Sequence, residues 1–397
     1  MRIAYIGLKG LPGTFSGIET HVHELGSRLA RRGHDVVAYV RPQYTPRHIT
    51  EDRGIRLLHL PTIASKHLDA TVHSFFAALH TIIGEFDIVH FHTIGPSCFA
   101  PLSWLSGAKV VTTIHRVDYL SEKWGWFART CLKTAEQVSL RVPHATIVVA
   151  PFLQEHYERQ GHRVEHITNG VTLPPVGIGS KEIRKLGLEP NEYVIFLGRL
   201  TPEKRPDWAI RAFQQINAGS IRLVIAGGSS ATDEYVRELK ALAAPSGDKI
   251  IFTGPVYGSL KDELLANARA FVLPSALEGL PITLLEAMSH ARPCVASDIP
   301  PHVGVIQDGK NGFLHRAGDI DDLRRRLIEV IGALPADLAA MGDAAKATVA
   351  EEYDWEHVID QVERLYYMLR NTSGTTSHFD RSVIGQKTNS TGKNDHY

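Results

Sequence analysis

The sequence predicts an α/β protein made of two successive Rossmann-like domains. Its 397 residues are more than one domain usually contains. Short apolar strands alternate with amphipathic helices, the pattern of parallel sheets. A proline- and glycine-rich stretch interrupts this alternation near the middle of the chain. We therefore expect an N-terminal domain at 1–172, a linker at 173–180 and a C-terminal domain at 181–352.

The N-terminal domain opens with a βαβ unit. A strand at Arg2–Ile6 leads into a glycine-rich loop at Gly7–Gly17, a helix at Glu19–Arg32 and a strand at Asp35–Val40. The glycines are spaced G-x-x-G-x-x-G, which differs from the G-x-G-x-x-G fingerprint of dinucleotide-binding proteins. An NADP-dependent oxidoreductase stays open as an alternative, because Arg41 could meet a 2′-phosphate at the end of the second strand.

Three histidines lie at or just beyond the ends of later strands in this domain. These strands are predicted at Ile55–Leu60, Ile88–Phe91, Val110–Ile114 and Ala145–Ala150, with a helix near Thr71–Gly84 and the ITNGV segment at 167–171 closing the domain. The ends of parallel strands form the ligand-binding edge of an open sheet. We favour loop packing and hydrogen bonding for His90 and His92 over a metal pair, because H-x-H without a nearby carboxylate is weak evidence for a metal. For His115 we favour a functional role.

An aromatic and basic helix is predicted at Glu122–Leu140, with the side chains of Trp124, Trp126, Phe127, Arg129 and Lys133. Two interpretations are open. The helix could form an interfacial patch that contacts anionic lipid or a lipid-linked acceptor. It could also be an ordinary helix that buries its aromatic side chains, and this is the interpretation that we favour.

The C-terminal domain repeats the α/β alternation. The predicted strands are Tyr193–Leu197, Leu223–Ala226, Ile250–Thr253, Ala270–Leu273 and Pro293–Ala296, and the predicted helices are Pro206–Ile216, Glu234–Ala243, Lys261–Asn267, Ile282–His290, Asp321–Ile331 and Asp337–Glu352. A last amphipathic helix at 353–370 is expected to pack back towards the N-terminal domain. The polar tail at 371–397 is predicted to be disordered.

Two carboxylates flank one loop and helix of this domain. Glu278 lies in the loop after the strand that ends at Leu273, and Glu286 lies just over one turn inside the next helix. Pro281 suits the start of that helix. The free amides of a helix N-terminus attract anions. The arrangement therefore favours a phosphorylated, polyhydroxylated ligand such as a sugar nucleotide.

Composition excludes several other classes of protein. Lys plus Arg and Asp plus Glu number 43 each, so no basic field favours nucleic acid. The three cysteines show neither disulfide nor zinc spacing. Apolar runs stay below the roughly 18–20 residues of a membrane span, and the N-terminus lacks the pattern of a signal peptide. We expect a cytoplasmic protein that can still touch the inner face of a membrane.

Several motifs in order resemble glycosyltransferase family 4, whose members have the GT-B fold and transfer sugars from nucleotide donors with retention. The resemblance covers about residues 1–370 and depends on SGIETHV with Gly17, His115, Asn169-Gly170-Val171, Gly198-Arg199-Leu200 with Lys204, Glu278 to Glu286, and Asp308-Gly309-x-Asn311-Gly312. Two positions depart from the family pattern. Thr172 stands where Asp is frequent, and Gly-Leu-Pro follows Glu278 where many members have Gly-Phe-Gly.

The resemblance implies roles for individual residues. Arg199 and Lys204 would bind the donor diphosphate, and Glu286 would bind the ribose hydroxyls. Glu278 would bind the donor sugar together with Gly279, Leu280, Pro281 and Ile282. Gly17 would let the backbone approach the diphosphate. His115 would face the reacting carbon. The implied catalytic group is Arg199, Lys204, His115 and Glu278. Acceptor-side candidates are Glu19, His21 and Asn169, although Asn169 is equally well explained as a turn residue.

The resemblance also implies a retaining transfer of a hexosyl or deoxyhexosyl group to a glycan or lipid-linked acceptor, as in cell-surface polysaccharide assembly. No cofactor and no metal are expected, because the D-x-D pattern at Asp319–Asp322 opens a predicted helix and indicates an N-terminal charge cluster. The leaving phosphate would accept the proton of the acceptor. Besides the oxidoreductase, a non-catalytic sugar-nucleotide-binding protein is an open alternative.

Overall fold

The structure is a computed structural model that describes residues 1–12, 16–63, 65, 68–121, 124–229 and 232–372. The start of the helix predicted from Glu122 and most of the tail predicted at 371–397 lie outside these residues. Two sheets, one fully parallel and one parallel except for a short edge pair, carry helices on their faces and confirm the predicted α/β class.

The first sheet contains eight strands within the described residues, in the order β3-β4-β2-β1-β5-β6-β7-β8, and all neighbours are parallel except the pair β3 and β4. The strands are β1 Arg2–Ile6, β2 Asp35–Val40, β3 Glu51–Asp52, β4 Ile55–His59, β5 Ile88–His92, β6 Lys109–Ile114, β7 Ala145–Val148 and β8 Glu165–His166. The helices are α1 Gly17–Arg31, α2 Asp69–Ile83, α3 Ile94–Ser97, α4 Ala100–Trp104, α5 Trp126–Arg141 and α6 Pro151–Arg159, with a 3₁₀ turn at Asp118–Leu120.

The second sheet is fully parallel, with the order β11-β10-β9-β12-β13-β14. Its strands are β9 Tyr193–Leu197, β10 Arg222–Ala226, β11 Ile250–Gly254, β12 Ala270–Leu273, β13 Cys294–Ser297 and β14 Phe313–His315. The helices are α7 Lys181–Lys185, α8 Pro206–Gln214, α9 Asp233–Ala243, α10 Gly258–Ala266, α11 Ile282–Ser289, α12 Pro300–Val303, α13 Ile320–Gly332, α14 Pro335–Glu352 and α15 Trp355–Asn371, with 3₁₀ turns at Pro202–Lys204 and Ala244–Lys249. Buried strands of near-continuous Val, Ile and Leu, such as β9, are typical of sheets covered on both faces.

Helix α15 packs on the sheet of the first domain, although it follows the second domain in the chain. Its buried apolar face joins the core formed by α1, β1 and β2. Trp355 lies against Gly170, where a Cβ would come within 2.3 Å of the indole. The guanidinium of Arg28 lies 5.1 Å from the centre of the Trp355 ring. The chain therefore crosses between the domains twice, which ties them together.

The end of the first domain and the start of helix α5 refine the sequence predictions. The segment at 167–171, which closes the first domain, contributes a single bridge from Val171 to Asp354, and the short strand β8 lies just before it. Trp126 and Phe127 are 79% and 68% exposed, so the interpretation that this helix buries its aromatic side chains is wrong for these two. Within the described residues, every helix is too short or too polar to cross a membrane.

Candidate active site

The two sheets meet at the ends of their strands. In each sheet the strand order changes direction between neighbouring strands, at β1 and β5 in the first domain and at β9 and β12 in the second. Such switch points open the crevice where α/β sheets bind ligands. A cavity of about 510 Å³ lies between them, and the predicted site residues on its wall are Gly17, His115, Asn169, Arg199, Lys204, Glu278, Gly279, Leu280, Pro281, Ile282 and Glu286.

Lys204 and Glu278 form a nearly buried ion pair on the cavity wall. The Lys204 ammonium donates to Glu278 Oε1, and Ser275 Oγ donates to the same oxygen at 2.9 Å. Burial disfavours the carboxylate, but Lys204 and the hydrogen bonds outweigh it and hold the pKa of Glu278 below its usual value. The site therefore keeps a fixed cation and a fixed anion next to each other at neutral pH.

Arg199 adds a second cation beside this pair. It lies two positions beyond the end of β9 and lines the cavity. Burial lowers the pKa of its guanidinium, and the nearby Arg116 of the first domain lowers it further, against the opposing charge of Glu278. Arg116 is itself held by Asp118, with 3.1 Å between Nε and Oδ1. Positive charge thus reaches the cavity from both domains.

Glu286 is also paired. Lys261 Nζ of α10 lies 2.8 Å from Glu286 Oε1, and both side chains line the cavity. Burial disfavours the Lys261 ammonium, but Glu286 raises its pKa above the usual value. The ion pair with Lys261 therefore holds the Glu286 side chain on the cavity wall.

Two helix N-termini face the cavity. Ser16 caps α1 by accepting from the Ile18 amide at 3.3 Å, and Gly17 opens the helix. In the second domain, α11 begins at Ile282, just after Pro281. The Thr283 hydroxyl is buried on the same wall and has no hydrogen-bond partner among the described residues. Free amides and this hydroxyl can donate hydrogen bonds to phosphate oxygens.

The domains touch directly at the cavity. A Cβ on Gly279 would lie 1.7 Å from the carbonyl oxygen of His115, so only glycine fits there in this arrangement. Asn169 Nδ2 donates to the Leu280 carbonyl at 3.0 Å across the same boundary. Asn169 and His115 therefore hold the loop that carries Glu278, in addition to lining the cavity.

Glu19 and His21 lie behind the cavity wall, with 3% and 4% of their surface exposed. Glu19 accepts from the Lys9 amide at 3.0 Å and from the Ser16 hydroxyl, so it fastens the glycine-rich loop to the start of α1. The ring of His21 packs against those of His115 and Trp355, with centroid distances of 5.0 and 5.5 Å. Neither side chain is among the residues that line the cavity.

A buried histidine cluster extends from the site into the first domain. His90 and His92 lie within β5, not in a loop, and their rings stack at 4.3 Å. His92 Nδ1 lies 3.2 Å from His115 Nε2. His21, His92 and His115 each place one nitrogen within 4.8 Å of the others, the only such metal-compatible group among the described residues. All three are buried, and burial lowers the pKa of each, which favours the neutral form.

Several residues of the cavity wall were missed by sequence reasoning: Ser16, Thr93, Arg116, Lys261 and Thr283. Arg116 follows His115 directly, and a basic residue beside a strand end is a usable signal. Lys261 offers none, because its partner is 25 residues away along the chain. Thr93 has a φ of 76°, a strained value for a threonine and a frequent property of functional sites.

Two facing Rossmann-like domains with a cation-lined cavity between them are the architecture of GT-B glycosyltransferases. Comparison with known proteins agrees. The family model "Glycosyltransferase Family 4" matches residues 15–173 and the model "Glycosyl transferases group 1" matches residues 180–348. The chain belongs to glycosyltransferase family 4.

Relatives and solved structures extend this agreement over nearly the whole chain. Alpha-maltose-1-phosphate synthase from Mycolicibacterium smegmatis is 27% identical, with 92% of this chain and 99% of that protein covered. Sucrose-phosphate synthase from Thermosynechococcus elongatus superimposes with a TM-score of 0.81 at 19% identity, covering 94% of this chain and 100% of the other. Anabaena HepE in complex with UDP and glucose gives a TM-score of 0.78 at 19% identity, covering 93% and 100%. These structures share the GT-B fold with this chain.

Proposed function

We propose that the enzyme moves a hexosyl or deoxyhexosyl group from a nucleoside diphosphate sugar to a glycan or lipid-linked acceptor, with retention, in cell-surface polysaccharide or glycolipid synthesis. The observation that carries this proposal is the convergence of Arg199, Lys204 and two helix N-termini on one cavity. These groups stabilise the negative charge that develops on a leaving diphosphate. HepE, a structural neighbour, is described with UDP and glucose, which supports a donor of this class.

The pairing of the carboxylates supports reaction on one face of the sugar. Glycosidases need a free carboxylate as nucleophile beside the anomeric carbon. The carboxylates on the described cavity wall are Glu24, Asp118, Glu278 and Glu286, and each is held by a Lys or Arg partner. We therefore assign Glu278 and Glu286 to donor binding. The proton of the acceptor hydroxyl is instead taken up by the leaving phosphate.

Side-chain cations are proposed to replace a metal. Arg199 and Lys204 supply the charge that a divalent ion provides in other transferases. We expect full transfer activity after dialysis against EDTA. Activity that disappears and returns only with added Mg²⁺ or Mn²⁺ would contradict this part of the proposal.

The central test uses a panel of radiolabelled nucleotide sugars with the full chain. We expect one donor to bind and to be slowly hydrolysed without acceptor. Glu286→Ala should abolish donor binding, because the ribose hydroxyls lose their acceptor, and Lys204→Ala should lower turnover more than affinity. Wild-type behaviour of both variants, or no binding of any donor, would overturn the assignment.

A lipid-linked acceptor is favoured by an exposed apolar face on the first domain. Helix α2 has no Lys, Arg, Asp or Glu after Asp69, and its Phe76, Ile82 and Ile83 are 40%, 39% and 79% exposed. Exposed Trp126 and Phe127 lie on the basic helix α5. Such surfaces suit the interface of an anionic bilayer.

We expect the protein to sediment with vesicles that contain anionic lipid, and the variant Ile82→Ser/Ile83→Ser to lose this sedimentation. Equal sedimentation of this variant and the wild type would contradict membrane contact.

A further inference from the structure

Arg116 of the first domain presents free hydrogen-bond donors to the cavity between the domains. It lies two positions beyond the end of β6, and its side chain lines the cavity and is 18% exposed. Asp118 holds one edge of the guanidinium, because Nε donates to Oδ1 at 3.1 Å. The terminal nitrogens Nη1 and Nη2 have no hydrogen-bond partner in the part of the chain that the structure describes, and both remain accessible to solvent. One carboxylate therefore orients the guanidinium and leaves its terminal N–H groups available to a ligand.

Arg116 packs against the loop that is proposed to bind the donor sugar. Its Cβ lies 3.1 Å from the position that a Cβ would take on Gly279. Gly279 directly follows Glu278, and helix α11 begins three positions later at Ile282. A side chain of the first domain thus reaches the part of the cavity where the sugar is joined to the diphosphate.

Arg199 lines the same cavity from the second domain, and it has no ion pair among the described side chains. Burial and the charge of Arg116 lower the pKa of the Arg199 guanidinium, and this direction prevails although three nearby glutamates oppose it. Two guanidiniums on opposite walls repel each other, and an anion between them removes the repulsion. Arginine binds phosphate oxygens through parallel N–H groups, so a diphosphate is an anion that these two residues suit.

We infer that Arg116 is a catalytic residue that binds the distal phosphate of the donor from the first domain. This rests on the proposed function, in which Arg199 and Lys204 hold the diphosphate from the second domain. During transfer, the bond between the anomeric carbon and the distal phosphate oxygen breaks, and its electron pair stays on that oxygen. The acceptor oxygen bonds to the carbon, and the acceptor proton moves to the leaving phosphate. Arg116 donates to the oxygens that gain charge, so this contact strengthens in the transition state.

A purely structural ion pair between Arg116 and Asp118 is the competing interpretation. It explains the contact at Nε but gives no role to the terminal nitrogens on the cavity wall. The two interpretations differ in the ligands that they affect. Loss of a structural pair disturbs the cavity for every nucleotide, whereas loss of a contact to the distal phosphate weakens only nucleotides that carry this phosphate.

Calorimetry with nucleotides distinguishes the two interpretations. UDP, dTDP, GDP and ADP are titrated into the full chain, and the diphosphate that binds most tightly is compared with its own monophosphate. We expect Arg116→Gln to weaken the diphosphate by about tenfold, the effect of losing one charge-assisted contact, and to leave the monophosphate unchanged. Arg184→Gln is the matched control, because Arg184 Nε donates to Glu189 at 3.2 Å in an exposed pair outside the cavity wall. This control should bind both nucleotides as the wild type does.

Turnover tests the catalytic role. With the donor that the wild type uses, Arg116→Gln should lower kcat by about tenfold or more and change KM less, because the leaving phosphate carries its largest charge in the transition state. Arg116→Lys, which keeps the charge but not the planar fork, should restore part of kcat. If Arg116→Gln does not fold with Asp118 left unpaired, the double variant Arg116→Gln/Asp118→Asn removes both charges and takes its place in both experiments.

The possible failures are distinguishable. Equal weakening of the diphosphate and the monophosphate, or no weakening of either, overturns the inference and leaves the proposed function standing. An unchanged kcat in Arg116→Gln likewise overturns the catalytic role. If the wild type binds none of the nucleotides, the proposed function fails and the inference fails with it.

Discussion

At the scale of single residues, the ion pair of Lys204 with Glu278 contributes both to the stability of the fold and to the charge of the site. Their side chains are 12% and 10% exposed, so removing one partner leaves a nearly buried charge. We expect Lys204→Met to lower the free energy of unfolding at pH 7 by about 3 kcal/mol. Urea unfolding measures this loss.

The pH dependence of this loss follows from the depressed pKa of Glu278. The pair stabilises the fold above the ordinary carboxyl pKa, and this contribution disappears as the pH falls through the lowered value in the folded state. The difference between wild type and Lys204→Met should therefore shrink towards pH 4. The matched control is Lys185→Met, whose pair with Glu182 is exposed and should contribute less than about 1 kcal/mol. Equal losses in the two variants would show that the Glu278 pair is not a buried one.

At the scale of elements, the histidine cluster depends on how α1, β5 and β6 pack, because α1, β5 and the loop after β6 each contribute histidine side chains to it. Burial lowers the pKa of His90 and His115 to about 3, and those of His21 and His92 also fall well below the usual value. At these histidines the unfolded chain binds protons near pH 6.5 and the folded chain does not. Their contribution to stability is therefore complete above that pH and decreases as the pH falls below it.

The slope of stability against pH tests this cluster. We expect unfolding free energy to decrease from pH 7 to pH 5, with each cluster histidine contributing up to about 1.4 kcal/mol per pH unit. His92→Phe keeps an aromatic ring between its neighbours and should make the slope shallower by one such increment. His48→Gln, at an exposed position, should leave the slope unchanged. A slope that His92→Phe does not alter would mean that the ring titrates normally in the folded protein.

Local patterns in the sequence predicted the elements well, and contacts between distant elements poorly. Strands β1, β2 and β9 were predicted to the residue, because apolar runs and glycines are read within a few positions. The Glu278 and Glu286 segment was predicted for the same reason. The partners Lys261 of Glu286 and Leu280 of Asn169 were not, because each pairing depends on how separate elements pack. His21 likewise became a packing residue only once α15 placed Trp355 against it.

At the scale of the whole molecule, the site exists only where the two domains touch. Gly279 packs against the His115 carbonyl, Asn169 donates to the Leu280 carbonyl, and Ser121 donates to Glu203 across the same boundary. Positive charge from Arg116 and from Arg199 meets in the cavity only in this arrangement. Donor binding and domain contact are therefore expected to depend on each other.

Gly279→Ala separates these two effects. A Cβ placed 1.7 Å from the His115 oxygen forces the domains apart, so we expect a larger radius of gyration in small-angle X-ray scattering and weaker donor binding. Gly17→Ala is the matched change on the other side of the cavity. Its Cβ would lie 3.5 Å from Ile282, an ordinary contact, so the radius of gyration should stay that of the wild type. If Gly17→Ala keeps that radius yet loses donor binding, the glycine is needed for the approach of the diphosphate. If Gly279→Ala keeps both the radius and the affinity, the close contact between the domains is not what forms the site.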